Sequence, residues 1–437
     1  MLLRLFRRFT LHPNLSLHLP RNSQSVCVVC NNKFGLRSLY SSKQFRSPLN
    51  NNSDSRDEPQ GGETQPQEQS PAKVDVKGLL DDAVVGEHEA SHPSDAWTQS
   101  LYPDTTNPKQ SQAAKSYRPN VDPCETSIFL FPGQGSQFVG MANGVLEYPN
   151  TLELFKVASD ILKFDLLNLV SEGPKSQLDK TVNCQPALLV TSLAAVEKLR
   201  CTNPKAIEQC ITAAGFSVGE YAALVFAGAI SFEDALRIVS LRAQAMQEAS
   251  EATPSGMYSV FVSSQSRLGL ACELARDWCK KHGIVKPECG IANYMYPGCK
   301  VVAGHDEALK FILLNKEEFG LLRMRRLPVS GAFHTPLMGE VIGPLRDALK
   351  QIEIRAPLIH VHSNVDGMRY RNPEHIRKQL VKQVLKPVKW EQTMHAIYER
   401  KPDVLFPRTY EVGPGKQLTT ILKMVNRKAA DICTPVL

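Results

Sequence analysis

The 437 residues predict an α/β protein: a mainly parallel sheet with helices on both faces, and a second, smaller unit inserted into it. Three observations predict this. Apolar runs that end at glycine, Ser127–Phe131 and Ile211–Gly215, alternate with stretches of helical spacing. Between about 253 and 329 the texture changes to short strands around a Pro-Gly turn. After Ser330 the first texture resumes. Strand-helix alternation is the pattern of a sheet covered on both sides, and an interruption that later closes is the pattern of an insertion.

Taken in order, Ser127-Ile-Phe-Leu-Phe131 reads as a buried strand followed by the Gly-rich loop Pro132-Gly-Gln-Gly-Ser136. Leu152–Val170 has helical spacing, and Gln185–Leu199 reads as a helix from its Ala and Leu content. Ile211–Gly215 is a second short strand. Val218–Gly228 and Ser231–Ser250 read as helices, the latter with Ser231 as N-cap and Glu233 and Asp234 in its first turn. Then come a strand at Gly256–Val262, a helix at Ser266–His282 and two strands within Gly290–Gly304. A helix at Asp306–Phe319 and a strand at Leu322–Val329 follow. The order β-α-β-β-α-β is that of a split βαβ, ferredoxin-like unit. Residues 123–252 and 330–437 are therefore expected to form one large domain, and residues 253–329 a small one.

The net charge of +7 is local. Eight basic residues precede Ser53, and no acid occurs before Asp54; removing these eight from the 51 basic residues leaves 43 against 44 acidic ones. A nucleic-acid partner is not expected. The first segment is Arg- and Ser-rich and acid-free, and Leu2, Leu3, Phe6 and Phe9 share one helical face against arginines. That is the composition of a mitochondrial transit peptide, expected over residues 1–45 with cleavage near Leu39–Ser42, although a basic tail has a similar composition. A matrix location follows. Residues 46–122 are rich in Gln, Pro, Ser, Asp and Glu and read as a disordered linker, with one short helix at Val74–Val85. No apolar run reaches the roughly 18–20 residues of a bilayer span, so no membrane insertion is expected. The eleven cysteines show no disulfide spacing. The lone C-x-x-C, Cys27 to Cys30, has no second pair, and no metal site is expected.

The chemistry gathers at Gly215-Phe-Ser217-Val-Gly219, followed by Glu220. A G-x-S-x-G between strand and helix is a nucleophile elbow: the turn lifts the serine Oγ above the sheet, and the helix N-terminus points N–H groups at the same place. The same five residues also fit a serine that merely opens a helix. A nucleophile needs a base. His334, in Gly331-Ala-Phe-His-Thr-Pro336, follows a strand and lies in a loop; His360, His362, His375 and His395 are rivals. The loop at Gln134 offers a backbone that can approach a substrate closely, or a plain turn; it lacks a P-loop lysine.

Five segments in order, Phe131-PGQGSQ, Gly215-FSVGEYAAL, Ser240-LRAQAMQ, Leu327-PVSGAFHTPLM and Glu411-VGPGKQL, resemble the malonyl-CoA:acyl carrier protein transacylase family. Ser363-Asn364 and Gln383-VLKPVKW extend the resemblance, which spans about Ser127 to Lys423, and the N-terminal segment resembles that of a mitochondrial member. The resemblance implies an α/β-hydrolase-like large domain with a ferredoxin-like small domain. It implies that Ser217 is the acylated nucleophile and His334 its base. The N–H groups of Gln134 and Val218 would bind the oxyanion, and an oxygen of Gln383 would orient the histidine. Arg242 would pair with the free malonyl carboxylate, for which its planar two-donor fork is suited as lysine is not. Phe333 resembles the bulky residue that excludes a methyl-branched substrate, and Asn293 is a candidate substrate contact. The chain departs from the family at Phe216, where histidine is usual, and at Met295 and Cys299, where Asn and Gln are usual.

The implied reaction is ping-pong acyl transfer from malonyl-CoA to the phosphopantetheine thiol of acyl carrier protein, with no metal or other cofactor, by a monomer. An acidic carrier would dock on a basic rim, for which Lys316, Arg323, Arg325 and Arg326, or Lys378, Lys382, Lys386 and Lys389, are candidates. Two alternatives stand. One is a serine thioesterase or esterase on the same fold, for which Asp366 would have to orient the histidine despite following it in the chain. The other is a non-catalytic scaffold that binds acyl carrier protein.

Overall fold

Two five-stranded sheets organise the chain. The computed structural model describes residues 121–400 and 404–437. The expected transit peptide, most of the linker with its helix at Val74–Val85, and Cys27 and Cys30 lie outside the described residues.

The first sheet is wholly parallel, with the order β10-β9-β1-β2-β7. Its strands are β1 (Ser127–Phe131), β2 (Cys210–Gly215), β7 (His360–His362), β9 (Arg408–Glu411) and β10 (Cys433–Pro435). Every residue of β1 and β2 is buried, as their unbroken apolar character requires of strands covered on both faces. Register places Phe131 opposite Gly215, so the loops after β1 and β2 leave the sheet side by side at its C-terminal edge. That edge is where open parallel sheets place their ligands.

The helix Thr181–Thr202 has fifteen of its 22 residues buried, polar Thr181 and Gln185 among them. A helix apolar nearly all round belongs in an interior, and this one packs against the helix Phe232–Ala252 in the largest core cluster. Ser231 caps the latter helix as expected, its Oγ accepting from the Asp234 N–H at 3.1 Å. At the end of β9, the buried Glu411 carboxylate accepts from the N–H groups of Leu418 and Thr419, each at 2.8 Å. It thereby closes the N-terminus of the helix Gln417–Val425.

The second sheet holds β3 (Ser255–Phe261), β4 (Cys289–Tyr296), β5 (Cys299–His305) and β6 (Arg323–Arg326). They are antiparallel in the ferredoxin-like order β6-β3-β5-β4, with the helices Leu268–Lys281 and Asp306–Leu314 as crossovers. A fifth strand, β8 (Val388–Lys389), comes from beyond residues 253–329 and pairs in parallel with Asn293 and Tyr294 of β4. It leads directly into the buried Trp390, so the open edge of β4 is covered by the chain segment that follows Gln383.

Three elements differ from expectation. Leu152–Val170 is two helices, Thr151–Leu162 and Leu166–Glu172, because Lys163 turns left-handed (φ 64°) and Asp165 caps the second. The helix from Asp306 ends at Leu314, where the Asn315 side chain donates back to the Phe311 carbonyl at 2.8 Å. The strand at Leu322–Val329 shortens to Arg323–Arg326, because beyond it the chain must leave the sheet to rejoin the large unit.

Candidate active site

The elbow forms because side chains cannot fit beside it. Between β2 and the helix Gly219–Phe226, Ser217 adopts a left-handed backbone (φ 53°), a strained state for a residue with a Cβ. A Cβ on Gly215 would stand 2.0 Å from the Gly219 backbone, and one on Gly219 would stand 2.3 Å from the Phe131 carbonyl oxygen. Only glycine permits this crossing of β1, β2 and the helix start. Asn364, just after β7, clamps the turn: its Oδ1 accepts from the Ser217 N–H and its Nδ2 donates to the Gly215 carbonyl, both at 2.7 Å. The serine's own N–H is thus committed. The N–H groups of Val218 and Gln134 make no hydrogen bond among the described residues, and they stand at the ends of adjacent strands β2 and β1. The Gln134 side chain donates to Thr181 Oγ1 at 3.2 Å.

His334 also has a left-handed backbone (φ 61°), and its Nε2 lies 2.9 Å from Ser217 Oγ. Its Nδ1 lies 2.7 Å from the Gln383 main-chain oxygen. A carbonyl only accepts, so Nδ1 carries the proton and the Nε2 lone pair faces the serine. Burial, and next the charge of Arg242, lower the histidine's pKa from 6.5 to about 3, so the ring is neutral. The other histidines lie elsewhere. His360 meets Arg369, His362 holds the Gly367 carbonyl, His375 is beside Asn372, and His395 is 3.9 Å from Glu391. Asp366 binds the Met368 N–H and the Gln379 side chain, and so does not orient His334.

Arg242 is fully buried. Its Nη2 donates to Ser217 Oγ at 3.1 Å and to Gln383 Oε1 at 2.9 Å, and Nη1 donates to Gln185 Oε1. Nε has no partner, the Tyr221 ring lies 5.7 Å away, and among the described residues no carboxylate forms an ion pair with it. A buried cation is ordinarily paired with a carboxylate, whereas this guanidinium is held by the side-chain oxygens of Ser217, Gln383 and Gln185. Asn293 is buried on β4 with its Oδ1 unpartnered. Phe333 is buried in the main core beside His334, and Phe216 packs edge-on against Trp390 at 5.4 Å.

Sequence reasoning missed Gln185, Glu220 and Tyr370 as parts of this constellation, and it noted Asn364 only as part of a motif. A glutamine inside an apolar helix and an acid three residues after the serine were the available signals. Of the basic candidates, Arg323 and Arg325 are exposed on β6, whereas Arg326 pairs with Asp306 at 3.1 Å. Lys378, Lys382 and Lys386 are exposed, and Lys316 and Lys389 are half-buried. Among the described residues no three His, Cys, Asp or Glu side chains gather as a metal site would need.

Comparison with known proteins fits this geometry. A family model described as the acyl transferase domain matches residues 128–434. The human protein named malonyl-CoA-acyl carrier protein transacylase, mitochondrial, is 56% identical over 307 residues, covering 70% of this chain and 79% of its own. The solved malonyl-CoA-acyl carrier protein transacylase of Coxiella burnetii is 33% identical with a TM-score of 0.65, over 72% of this chain and 95% of that one. A malonyl-transacylase solved in complex with its type II PKS acyl-carrier protein is also 33% identical, with a TM-score of 0.62, over 71% and 94%. On this likeness and on the match to the acyl transferase domain, the chain belongs to the malonyl-CoA:acyl carrier protein transacylase family.

Proposed function

We propose that the protein transfers the malonyl group of malonyl-CoA to the phosphopantetheine thiol of acyl carrier protein through an ester on Ser217. The observation that carries this reading is Arg242: a buried guanidinium with no carboxylate in an ion pair with it among the described residues, 3.1 Å from the serine oxygen. Malonyl presents a free carboxylate a few bonds from its thioester, so one charge pair orients the reacting carbonyl. Phe333, beside the base, limits the space for a substituent on the acyl chain, and Asn293 offers its free Oδ1 to an N–H of the substrate.

Ser217 Oγ attacks the thioester carbon while His334 Nε2 takes its proton. The oxyanion is received by the N–H groups of Gln134 and Val218. The C–S bond breaks and the coenzyme A sulfur leaves with the proton from His334. The carrier thiol then gives its proton to His334 and attacks the ester, and Ser217 regains a proton as it leaves. Nucleophile, base and donors all belong to one chain, so the reading needs neither a cofactor nor a second copy. The thioesterase reading expects an acid at Nδ1, and the Gln383 carbonyl stands there instead.

The protein is placed in the mitochondrion, as its relatives are named, and within it the matrix is proposed, where it would supply fatty acid synthesis. The acid-free N-terminal composition supports this. The carrier is proposed to dock on the basic rim carrying Arg323 and Arg325.

The deciding experiment is intact-protein mass after mixing with malonyl-CoA, run beside acetyl-CoA and Ser217→Ala. A malonyl adduct that requires Ser217 and passes to acyl carrier protein is expected. Release of free malonate in place of transfer would point to the thioesterase, and no adduct would leave the binding scaffold.

A further inference from the structure

Beneath the elbow lies a carboxylate that the reaction above does not use. Glu220 is the second residue of the helix Gly219–Phe226, where an acid ordinarily faces solvent and complements the helix N-terminus. Here it is fully buried and turned inward. Its Oε2 accepts from Gln383 Nε2 at 2.7 Å and from the Asn364 N–H at 3.1 Å, and its Oε1 accepts from the Tyr370 hydroxyl. Two of these three residues, Asn364 and Gln383, have further tasks at the site. Asn364 holds the backbone on both sides of Phe216. Gln383 gives its carbonyl to His334 and its Oε1 to Arg242, and its Nε2 also donates to the Ser217 carbonyl at 3.1 Å.

An ionised carboxylate can only accept. Facing Gln383, it requires the amide NH2 on its own side, which turns Oε1 toward the guanidinium. We propose that Glu220 is a positioning residue for acyl transfer, whose carboxylate sets the Gln383 amide so that Arg242 is held beside Ser217 with its fork open to the acyl carboxylate. The inference rests on the transferase reading. It assigns to a carboxylate one step removed from the histidine the orienting work that an acid does directly in a triad, and extends it to the substrate-binding arginine.

The charge of Glu220 is adjustable. Burial raises its pKa to about 7, against the opposing hydrogen bonds of Tyr370, Gln383 and Asn364. The titratable or charged groups that face it are Tyr370 and Asp366 after β7, Arg242 from the helix Phe232–Ala252, and Tyr221 on its own helix. Protonation turns charge-assisted bonds into neutral ones of about half the strength, which loosens the hold on Gln383.

The test is steady-state malonyl transfer by the full protein over pH 6 to 9, for wild type, Glu220→Gln and Tyr370→Phe. Glu220→Gln keeps size and acceptor but not charge, and should raise the KM for malonyl-CoA about tenfold with a smaller change in kcat. The wild-type kcat/KM profile should carry a limb near pH 7 that the Glu220→Gln profile lacks. Tyr370→Phe removes a bond that favours the ionised form, so its limb should move to higher pH. This arm stands even if Glu220→Gln does not fold. An active wild type whose limb stays in place in Tyr370→Phe, or a folded Glu220→Gln with unchanged KM and profile, overturns the positioning role alone. A wild type that transfers no malonyl group sinks both readings.

Discussion

The two sheets put strain and charge in different places. Four non-glycine residues among those described have a positive φ, and all of them, Asn150, Lys163, Ser217 and His334, lie outside the small antiparallel unit. Three of the four glycines pressed against backbone at under 2.5 Å, Gly133, Gly215 and Gly219, lie at the elbow and the Gln134 loop, and the fourth, Gly304, lies between β5 and the start of β4 in the small unit. Buried Glu220, Arg242, His334 and Glu411 likewise belong to the parallel-sheet unit. The small unit instead carries exposed Arg323 and Arg325 on an edge strand, and among its charged residues only Lys300 is buried. Strained backbone and desolvated charge cost stability, and they persist where the surrounding fold over-determines them. The difference teaches that the parallel sheet is the part built for chemistry and the antiparallel sheet is a wall and a rim.

The largest test of this contrast is at the reacting groups. Ser217→Ala should remove the acyl adduct altogether, and His334→Ala should slow transfer by about 10²- to 10⁴-fold, measured by single-turnover transfer. His362→Gln, an equally buried histidine one strand away, should leave the rate within about threefold; a loss as large as that of His334→Ala would break the assignment of the base. Next, Arg242→Ala should cost about 2–5 kcal/mol in kcat/KM for malonyl-CoA, and Arg242→Lys should recover little of it, because an ammonium lacks the planar fork. Equal losses for acetyl- and malonyl-CoA would show that the arginine does not read the carboxylate.

Backbone crowding gives a smaller effect. Gly219→Ala puts a Cβ 2.3 Å from a carbonyl oxygen and should destabilise by about 3 kcal/mol or more in urea unfolding. Gly290→Ala on β4, with nothing within 4 Å, should stay within about 1 kcal/mol. The smallest effect is on pH-dependent stability. His334 and His362, with pKa values lowered by burial to about 3 and about 4, are neutral when folded and charge on unfolding below 6.5. The unfolded chain therefore binds more protons, and stability falls as pH drops from 6.5 toward 4. Glu220, raised to about 7, acts in the opposite sense between about 4.5 and 7, as does Glu411, raised by burial, but His360 and His375 are also lowered by burial, so four histidines stand against two acids. Melting temperatures should thus decline below pH 6.5, and His362→Gln should flatten that decline; a melting temperature that rises there would reverse the assignment.

Much of the fold was legible because its signals are local. The apolar runs of β1 and β2 and the N-cap at Ser231 each lie within a few residues, and the β-α-β-β-α-β order is a succession of such short signals from Ser255 to Arg326. The breaks at Lys163 and Leu314 were not, because nothing in the apolar spacing marks where a left-handed residue or a side-chain cap stops a helix. Strand β8 was also hidden: two residues show no periodicity, and Val388 is a strand only because β4 has an open edge beside it.

The sequence by itself determined the class of fold, the glycines that an elbow demands, and through five ordered motifs the resemblance that points to a family. Sterics of single residues and short periodic patterns are written into neighbouring positions, so they can be read there. The tertiary structure brought His334, the histidine that the resemblance had pointed to, against Ser217, and it alone decided that the Gln383 oxygen at Nδ1 is the main-chain one and that among the described residues no carboxylate forms an ion pair with Arg242. It also decided that Glu220 turns inward to bind Gln383, Asn364 and Tyr370, up to 163 positions away along the chain. Hydrogen bonds and Coulomb forces act through space over a few ångströms, and only the packed chain brings these groups within that reach.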